Sequence, residues 1–304
     1  MAILLAADIG GSKTALRVFR EDGKVLAVRN ACGAGFSQDS CEDIPALSEA
    51  LTALVREFPD IAATAVNLGG KNREQIESIF RKALPGTRLA VYRESEAAAA
   101  LAFGQKVDAP VVLLAGTGTI AVAAAENGVV IGGGWGANIG DGGSGYDIGL
   151  ETLRYCLCCL DRQEPLSPLV QQVTGESQPL CVTSAEADCV ARDAVRQRLQ
   201  PFDRAHIASL TRICAQHAAA GEADALMIFR EAGLRMGRLV ADTARKAGHR
   251  SLSGVAVSGG LCNIRAFFSE TFQDTVQEVL PTERFIYSAD GVLQGACILA
   301  RQLL

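Results

Sequence analysis

The amino-acid sequence predicts an α/β fold made of two related halves, each with the element order βββαβαβα, and a helical insertion in the second half. Two hairpin signals carry this prediction, because Asp22-Gly23 and Asn127-Gly128 suit the positive φ angles of type I′ turns and lie 105 residues apart. A glycine-containing loop precedes each hairpin at the same offset. The 304 residues, 49% of them hydrophobic and 21% charged, suffice for about two domains with large buried cores.

The first half begins with three short apolar segments, joined by a glycine loop at residues 8–14 and by the Asp-Gly turn. Apolar side chains between Leu47 and Phe58 then follow helical spacing, and the later apolar runs alternate with amphipathic or alanine-rich stretches. The predicted strands are 3–7, 15–19, 25–28, 62–68 and 88–92, and the predicted helices after the first are 73–84 and 97–102.

The second half repeats this plan and interrupts it with helices. Its elements are predicted as strands at 111–115, 120–124 and 129–131, a helical insertion at about 146–246, a strand at 254–257, a helix at 263–279, a strand at 284–287 and a last helix from Asp290. The expected domains are 1–109 and 110–304, and the last helix is free to pack back on the N-terminal domain. Amphipathic helices at 204–220 and 224–247 suit either a homodimer face or internal packing.

Charge and hydropathy exclude several classes of partner. The 29 Lys and Arg against 34 Asp and Glu are scattered and give a formal charge of −5, which disfavours nucleic acid and acidic membranes as partners. No apolar run reaches the ~18 residues of a membrane span, and the apolar opening at residues 1–7 lacks a basic segment, so a cytoplasmic location is expected.

The ten cysteines are expected to be mostly reduced and buried. The cluster of Cys156, Cys158 and Cys159 contains one C-x-x-C, but no second tight pair completes a metal site. The three histidines also lack metal-ligand spacing. We therefore expect no zinc or iron–sulfur centre.

The two glycine loops are the candidate phosphate site. Backbone N–H groups of such loops suit phosphate, and Asp8 at the strand end before the first loop could hold a water-bound Mg²⁺, while Lys13 offers a cation. The first loop lacks the spacing of a P-loop, and alone it could be an ordinary hairpin. Its pairing with the loop Gly116–Thr119 favours a nucleotide whose triphosphate lies between the two halves.

Two further segments suggest the rest of a binding site. The glycine-dense stretch at residues 132–145 carries Trp135, which suits stacking on a sugar face, and Asp141, which could accept hydrogen bonds from hydroxyls. The alternative is a mobile loop with Trp135 in the core. Ser258-Gly259-Gly260, between a strand and a helix, has the small residues that would let a purine and ribose approach the backbone.

In this order, these pieces resemble the N-acetylglucosamine kinase group of the actin/hexokinase/Hsp70 superfamily, which is grouped with the BadF/BadG/BcrA/BcrD ATPases. The resemblance covers nearly the whole chain. It implies two ribonuclease H-like (actin-like ATPase) domains that close over ATP, Mg²⁺ and an amino sugar, with transfer of the γ-phosphoryl group to the sugar 6-hydroxyl. The ATP-binding residues it implies are Gly10, Gly11, Ser12, Lys13, Thr14, Gly116, Thr117, Gly118, Thr119, Ser258, Gly259 and Gly260. The sugar-binding residues are Ser37, Gly70, Trp135, Gly136 and Asp141.

The catalytic residues implied by the resemblance are Asp8, as the Mg²⁺ residue, and Glu96, as the base. The family has an Asp at the start of the corresponding helix, so Glu96 is the nearest match and Glu94 is its rival; helix-terminal stabilisation is the alternative role of Glu96. The chain also has Gly142 where the family has Glu. The family's sugar-binding Ser-Thr-Asn lacks a clear match in residues 32–38.

Two other functions remain open at this stage. An ATPase that drives a partner enzyme, as in the dehydratase activators of this grouping, would need cluster-binding cysteines, for which the sequence offers no convincing equivalent. A non-catalytic sugar or nucleotide sensor is suggested by the departures at Glu96 and Gly142. The kinase is the main hypothesis.

Overall fold

Two five-stranded mixed sheets form the framework in the computed structural model of the protein, which describes residues 1–10, 13–31, 43–69, 72–103, 110–162, 164–180 and 184–304. The first sheet consists of β1 (Ile3–Ile9), β2 (Thr14–Arg20), β3 (Val25–Ala31), β4 (Ile61–Leu68) and β5 (Arg88–Arg93). The second consists of β6 (Val111–Ala115), β7 (Thr119–Ala125), β8 (Gly128–Gly133), β9 (Val255–Ser258) and β10 (Phe285–Ser288).

The two sheets share one pairing scheme. Their strand orders are β3-β2-β1-β4-β5 and β10-β9-β6-β7-β8. In each, the first strand of the half is central, with an antiparallel hairpin on one side and two parallel strands on the other. Because β1 runs parallel to β4, and β6 to β9, the carboxyl ends of these strands meet at one edge of each sheet.

Helices separate the parallel strands and fill the insertion. In the first half they are α1 (Asp43–Glu57), α2 (Arg73–Ala83) and α3 (Glu94–Phe103). In the second they are α4 (Gly145–Asp161), α5 (Pro168–Thr174), α6 (Ala185–Arg198), α7 (Arg204–Ala219), α8 (Ala223–Lys246), α9 (Ser269–Gln277) and α10 (Gly291–Gln302). The predicted α/β fold with helices inserted in the second half is confirmed.

One hydrophobic core joins the two sheets. Alternate residues of β1, Leu4 and Ala6, share it with Val112 and Leu114 of β6, and helices α3 and α10 complete it. The intervening residues of each strand face separate outer cores. We call the side of each sheet that faces the shared core its inner face, since side chains alternate between the two faces of a strand.

The last helix lies against the first half. Helix α10 packs against β1, β4 and α3. At its start the Arg17 guanidinium donates to the carboxylate of Asp290 over 2.5 Å, and at its end Arg301 Nε donates to the carbonyl of Glu21 over 3.1 Å. The helix therefore follows the second sheet in sequence and contacts the first sheet in space.

The prediction of one continuous helix at 263–279 is wrong, because the structure has two separate helices in this region. A 3₁₀ helix spans Gly260–Phe267, and α9 begins only at Ser269. Phe268 between them leaves helical geometry at φ −128° and ψ −16°, and its side chain is buried in the outer core of the second half. Its carbonyl oxygen lies 2.6 Å from the position that a β-carbon of Gly233 in α8 would take. Within the described ranges, no helix has both the length and the apolar composition needed to cross a membrane.

Candidate active site

The carboxyl edge of the inner face of the first sheet carries a carboxylate–amide pair. Leu4 and Ala6 of β1 point into the shared core, so alternation places Asp8 on the same face. Asp8 is in register with Asn67 of β4, and Asn67 Nδ2 donates a hydrogen bond of 2.8 Å to Asp8 Oδ1. The two strands thus fix one oxygen of the carboxylate.

The charge of Asp8 is incompletely balanced by the chain. Its side chain keeps partial access to solvent, but dense surrounding protein raises its pKa by burial, while the hydrogen bond from Asn67 and the positive charge of Lys13 act in the opposite direction. A divalent cation would stabilise the ionised form. Mg²⁺ prefers hard oxygen ligands and commonly uses one or two carboxylates plus water, so Asp8 fits its chemistry.

The first glycine loop follows β1 directly. Its base is closed by a hydrogen bond of 2.9 Å from the amide of Gly10 to the carbonyl of Lys13, whose side chain is exposed. Thr14 is fully buried on the outer face, since Leu16 and Val18 of the same strand belong to the outer core. Its hydroxyl therefore points away from Asp8. Gly11 and Ser12 lie outside the described residues, as do Ser37 and Gly70.

The second glycine loop rests on the start of α4. Gly116 accepts a hydrogen bond of 2.8 Å from the amide of Gly145, and its own amide donates to the carbonyl of Gly118 over 3.0 Å. Among the described residues, no heavy atom lies within 4 Å of the position that a β-carbon of Gly116 would take. Thr117 is half-buried, whereas the Thr119 hydroxyl is buried and donates to the carbonyl of Gly142 over 3.1 Å.

Asp141 joins the glycine-dense segment to this loop. Asp141 adopts a positive φ of 56° and is 6% exposed. Its Oδ2 lies 2.7 Å from the position that a β-carbon of Gly118 would take, so the carboxylate packs directly against this loop. Burial raises the pKa of Asp141, and the Arg204 guanidinium at 3.6 Å and the amides of Gly136 and Thr119 partly offset this effect. The carboxylate therefore links the glycine-dense segment to the loop Gly116–Thr119. Its contact with a sugar stays a prediction.

A cavity of about 520 Å³ opens beside Trp135. The indole is 76% exposed, which excludes the alternative that it is a core residue. Gly136 lines the same cavity, and so do Tyr146, Phe202 and Arg204, which sequence analysis did not single out. Phe202 precedes α7 and Arg204 begins it, both far from Trp135 along the chain, so only the packing of the insertion brings them here.

Glu96 lies at the start of α3 and is exposed. The amide of Arg93 donates a hydrogen bond of 2.6 Å to Glu96 Oε2, which is the reciprocal half of a capping box. Burial raises the pKa of Tyr92, on the inner face of β5, and the charge of Glu96 adds to the rise. Glu96 therefore stabilises the start of the helix. This contact leaves its role as the base open, because catalytic hydrogen bonds often form fully only when substrate is bound. Glu94 is the first residue of the same helix.

The Ser258–Gly260 segment combines a structural contact with an open backbone. Ser258 is buried, and its hydroxyl accepts a hydrogen bond of 3.1 Å from the amide of Val292 at the start of α10. Gly259 has φ 120°, and a β-carbon there would lie 2.5 Å from the carbonyl oxygen of Ala115. Within the described chain, no heavy atom lies within 4 Å of the position that a β-carbon of Gly260 would take.

The cysteines provide no metal centre within the described part of the chain, where no group of three or more His, Cys, Asp or Glu side chains could hold an ion. Cys156 is buried, which raises its pKa to about 12. Cys214, Cys262 and Cys297 are buried too, as expected for most cysteines, whereas Cys158 and Cys189 are exposed.

The chain shares its fold with a solved sugar kinase. A ROK family glucokinase from Streptomyces griseus, solved in complex with glucose and AMPPNP, aligns with 99% of this chain and 100% of its own, at a TM-score of 0.65 and 16% identity. At that identity the likeness concerns the fold alone.

Sequence comparison gives the family. The model of the BadF/BadG/BcrA/BcrD ATPase family matches residues 7–300, and the chain belongs to that family. An N-acetylmuramic acid/N-acetylglucosamine kinase from Clostridium acetobutylicum is 24% identical over 313 residues, which cover 99% of both chains. An N-acetyl-D-glucosamine kinase from Dictyostelium discoideum is 24% identical over 320 residues, covering 98% of this chain and 97% of the other. The resemblance predicted from the motifs is confirmed.

Proposed function

We propose that the protein is an ATP-dependent kinase that phosphorylates the 6-hydroxyl of N-acetylglucosamine or a related amino sugar. The observation that carries the proposal is the Asp8–Asn67 pair at the carboxyl edge of one inner face, with the glycine loop at Gly116 following β6, whose inner-face residues share the same core. The names of the two kinases similar to this chain support an amino-sugar substrate.

The proposal treats each sheet as the centre of a ribonuclease H-like domain, with domains at 1–109 and 110–304. The shared pairing scheme of the two sheets supports this division. The expected nucleotide lies between them, with its phosphates against the loops after β1 and β6. Gly259 and Gly260 after β9 then offer the backbone to the adenosine.

Mg²⁺ would be held by Asp8 through water. When bound, the ion supplies positive charge that neutralises the β- and γ-phosphates. The chain's own part is to hold one Asp8 oxygen by the Asn67 amide and to add the positive charge of Lys13 beside it. Both contacts favour the ionised form of the carboxylate and oppose the rise in its pKa that burial causes.

The acceptor sugar is placed beside Trp135, with Gly136, Ser37 and Gly70 as further predicted contacts. In the transfer step Glu96, or its rival Glu94, takes the proton of the sugar hydroxyl. The hydroxyl oxygen then forms a bond to the γ-phosphorus, the bond from that phosphorus to the β,γ-bridging oxygen breaks, and ADP leaves. The amide of Arg93 occupies Glu96 Oε2, and for Glu96 to act an oxygen of its carboxylate must come within hydrogen-bond reach of the sugar hydroxyl.

The test is ADP release measured with and without a panel of amino sugars that includes N-acetylglucosamine and N-acetylmuramic acid. Sugar-stimulated release, lost in Asp8→Asn with the fold intact by circular dichroism, is the expected result. Sugar-independent release would instead indicate an activator ATPase. Binding of nucleotide or sugar without release would indicate a sensor, and either outcome contradicts the kinase.

A further inference from the structure

Asn67 is an unusual residue for its position. Strand β4 lies inside its sheet, between β1 and β5. Its residues Val66 and Leu68 are buried and apolar, and the Asn67 side chain is 0% exposed. A buried amide without full hydrogen bonding destabilises a fold, so an apolar residue would be the default here.

The amide of Asn67 is satisfied on one side only. Its Nδ2 donates to Asp8 Oδ1 over 2.8 Å, whereas its Oδ1 is buried and has no hydrogen-bond partner among the residues that the structure describes. Exchanging the amide oxygen and nitrogen would place two oxygens against each other at the carboxylate, so the orientation is fixed by Asp8. The contact that accounts for an asparagine at this position is therefore the one to Asp8.

We propose that Asn67 is a positioning residue for the metal-binding carboxylate: it holds Asp8 Oδ1 and so directs Oδ2 toward the hydrated cation that accompanies the nucleotide. The proposal rests on the proposed kinase function. Hydrogen-bond partners of ligating carboxylates orient them, and their removal typically costs 10–100-fold in metal affinity or activity. The register of β1 and β4 sets the geometry, because Asp8 and Asn67 are directly paired.

A matched control exists in the same strand. Thr64 is also fully buried and polar, but it lies in register with Leu5, an outer-core residue, and its hydroxyl bonds to that of Thr87 at 3.0 Å. Thr64→Val removes a part-buried hydrogen bond of β4 and leaves the residues around Asp8 unchanged. The Thr64→Val variant therefore shows how the loss of a hydrogen bond with only a structural role in β4 affects metal binding.

The experiment measures Mn²⁺ binding by electron paramagnetic resonance in the presence of a non-hydrolysable ATP analogue. Asn67→Ala is expected to weaken Mn²⁺ binding about 10-fold or more. Asn67→Ser, which keeps a short donor, is expected to give an intermediate value, and Thr64→Val the wild-type value. In the kinase assay, the Mg²⁺ concentration for half-maximal rate should rise in parallel while KM for the sugar stays unchanged.

If one of the two Asn67 variants is too unstable to purify, the other variant decides the outcome. Wild-type Mn²⁺ affinity in a folded Asn67 variant would overturn the proposal and leave Asn67 a structural residue. If the wild-type protein binds the nucleotide analogue without Mn²⁺, the positioning role is overturned although nucleotide binding stands. If the wild-type protein binds neither the nucleotide analogue nor Mn²⁺, the proposed kinase function is contradicted, and so is the role of Asn67 that rests on it.

Discussion

Replacing Gly295 of α10 by alanine should displace the helix that carries the predicted base. A β-carbon at this position would lie 2.2 Å from the carbonyl oxygen of Ala97 and 2.9 Å from its carbonyl carbon. Both are backbone atoms of α3, so no side-chain rotation relieves the overlap. Since ordinary contacts begin near 3.4 Å, the two helices must separate by about 1 Å.

The displacement has two expected consequences. Overpacking of a tight core contact typically costs ~1–3 kcal/mol, so we expect the free energy of unfolding to fall by about 2 kcal/mol. Glu96 precedes Ala97 in α3 and should move with it. A misplacement of about 1 Å at a catalytic group can cost ~10²-fold, so kcat should fall by about that factor.

Sugar-stimulated ADP release at saturating substrates and urea unfolding measure the two effects separately. Gly86→Ala is the matched control, because Gly86 is exposed between α2 and β5 and, within the described chain, no heavy atom lies within 4 Å of its β-carbon position. A folded Gly295→Ala protein that is less stable but has the wild-type kcat would refute the reasoning that α10 positions the base.

Two further predictions concern the sugar side and the start of α10. Trp135→Ala should raise KM for N-acetylglucosamine about 10-fold without lowering the melting temperature, because the exposed indole contributes little to folding; an unchanged KM would remove Trp135 from the site. Burial alone would raise the pKa of Asp290, but hydrogen bonds from Arg17, Ser288 and Gln294 bring it below its ordinary value. Its ionised form therefore stabilises the fold above about pH 4, and this contribution disappears as the pH falls through the lowered pKa. Urea unfolding should show Asp290→Asn less stable than wild type by about 0.5–1 kcal/mol at pH 6, with the difference shrinking toward pH 3; a constant difference would contradict the assignment.

Local sequence signals predicted the framework well. The strand at 111–115 has its predicted bounds, and the chain turns at Asp22-Gly23 as predicted, because turn chemistry and apolar periodicity act over a few residues. The predicted type I′ geometry is wrong at both hairpins, since Gly23 and Gly128 have positive φ but Asp22 and Asn127 do not. The break at Phe268 was not predictable in this way. Phe268 is buried there and its carbonyl oxygen closely approaches Gly233 of α8, and no local pattern encodes this packing.

The site shows the same division between local and distant information. The sequence placed Asp8 at a strand end, but its partner Asn67 depends on the parallel register of β1 and β4 across 59 residues. The place of Ser258 in the adenosine motif stays a prediction, and the hydrogen bond that its hydroxyl accepts from α10 is a contact that no local pattern encodes. The cap formed by Glu96 also lacks the usual Ser or Thr signal, since the residue three positions earlier is Arg93.

The central claim is that the loop after β6 holds nucleotide phosphates, and titration calorimetry of Gly116→Val with a non-hydrolysable ATP analogue and Mg²⁺ tests it most directly. In the described structure no heavy atom lies within 4 Å of the position of the new β-carbon, so we expect a folded variant, which circular dichroism checks before the titration. The side chain would occupy the space expected for the phosphates, and the account predicts at least a 10-fold loss of affinity. Wild-type affinity in the folded variant would contradict it.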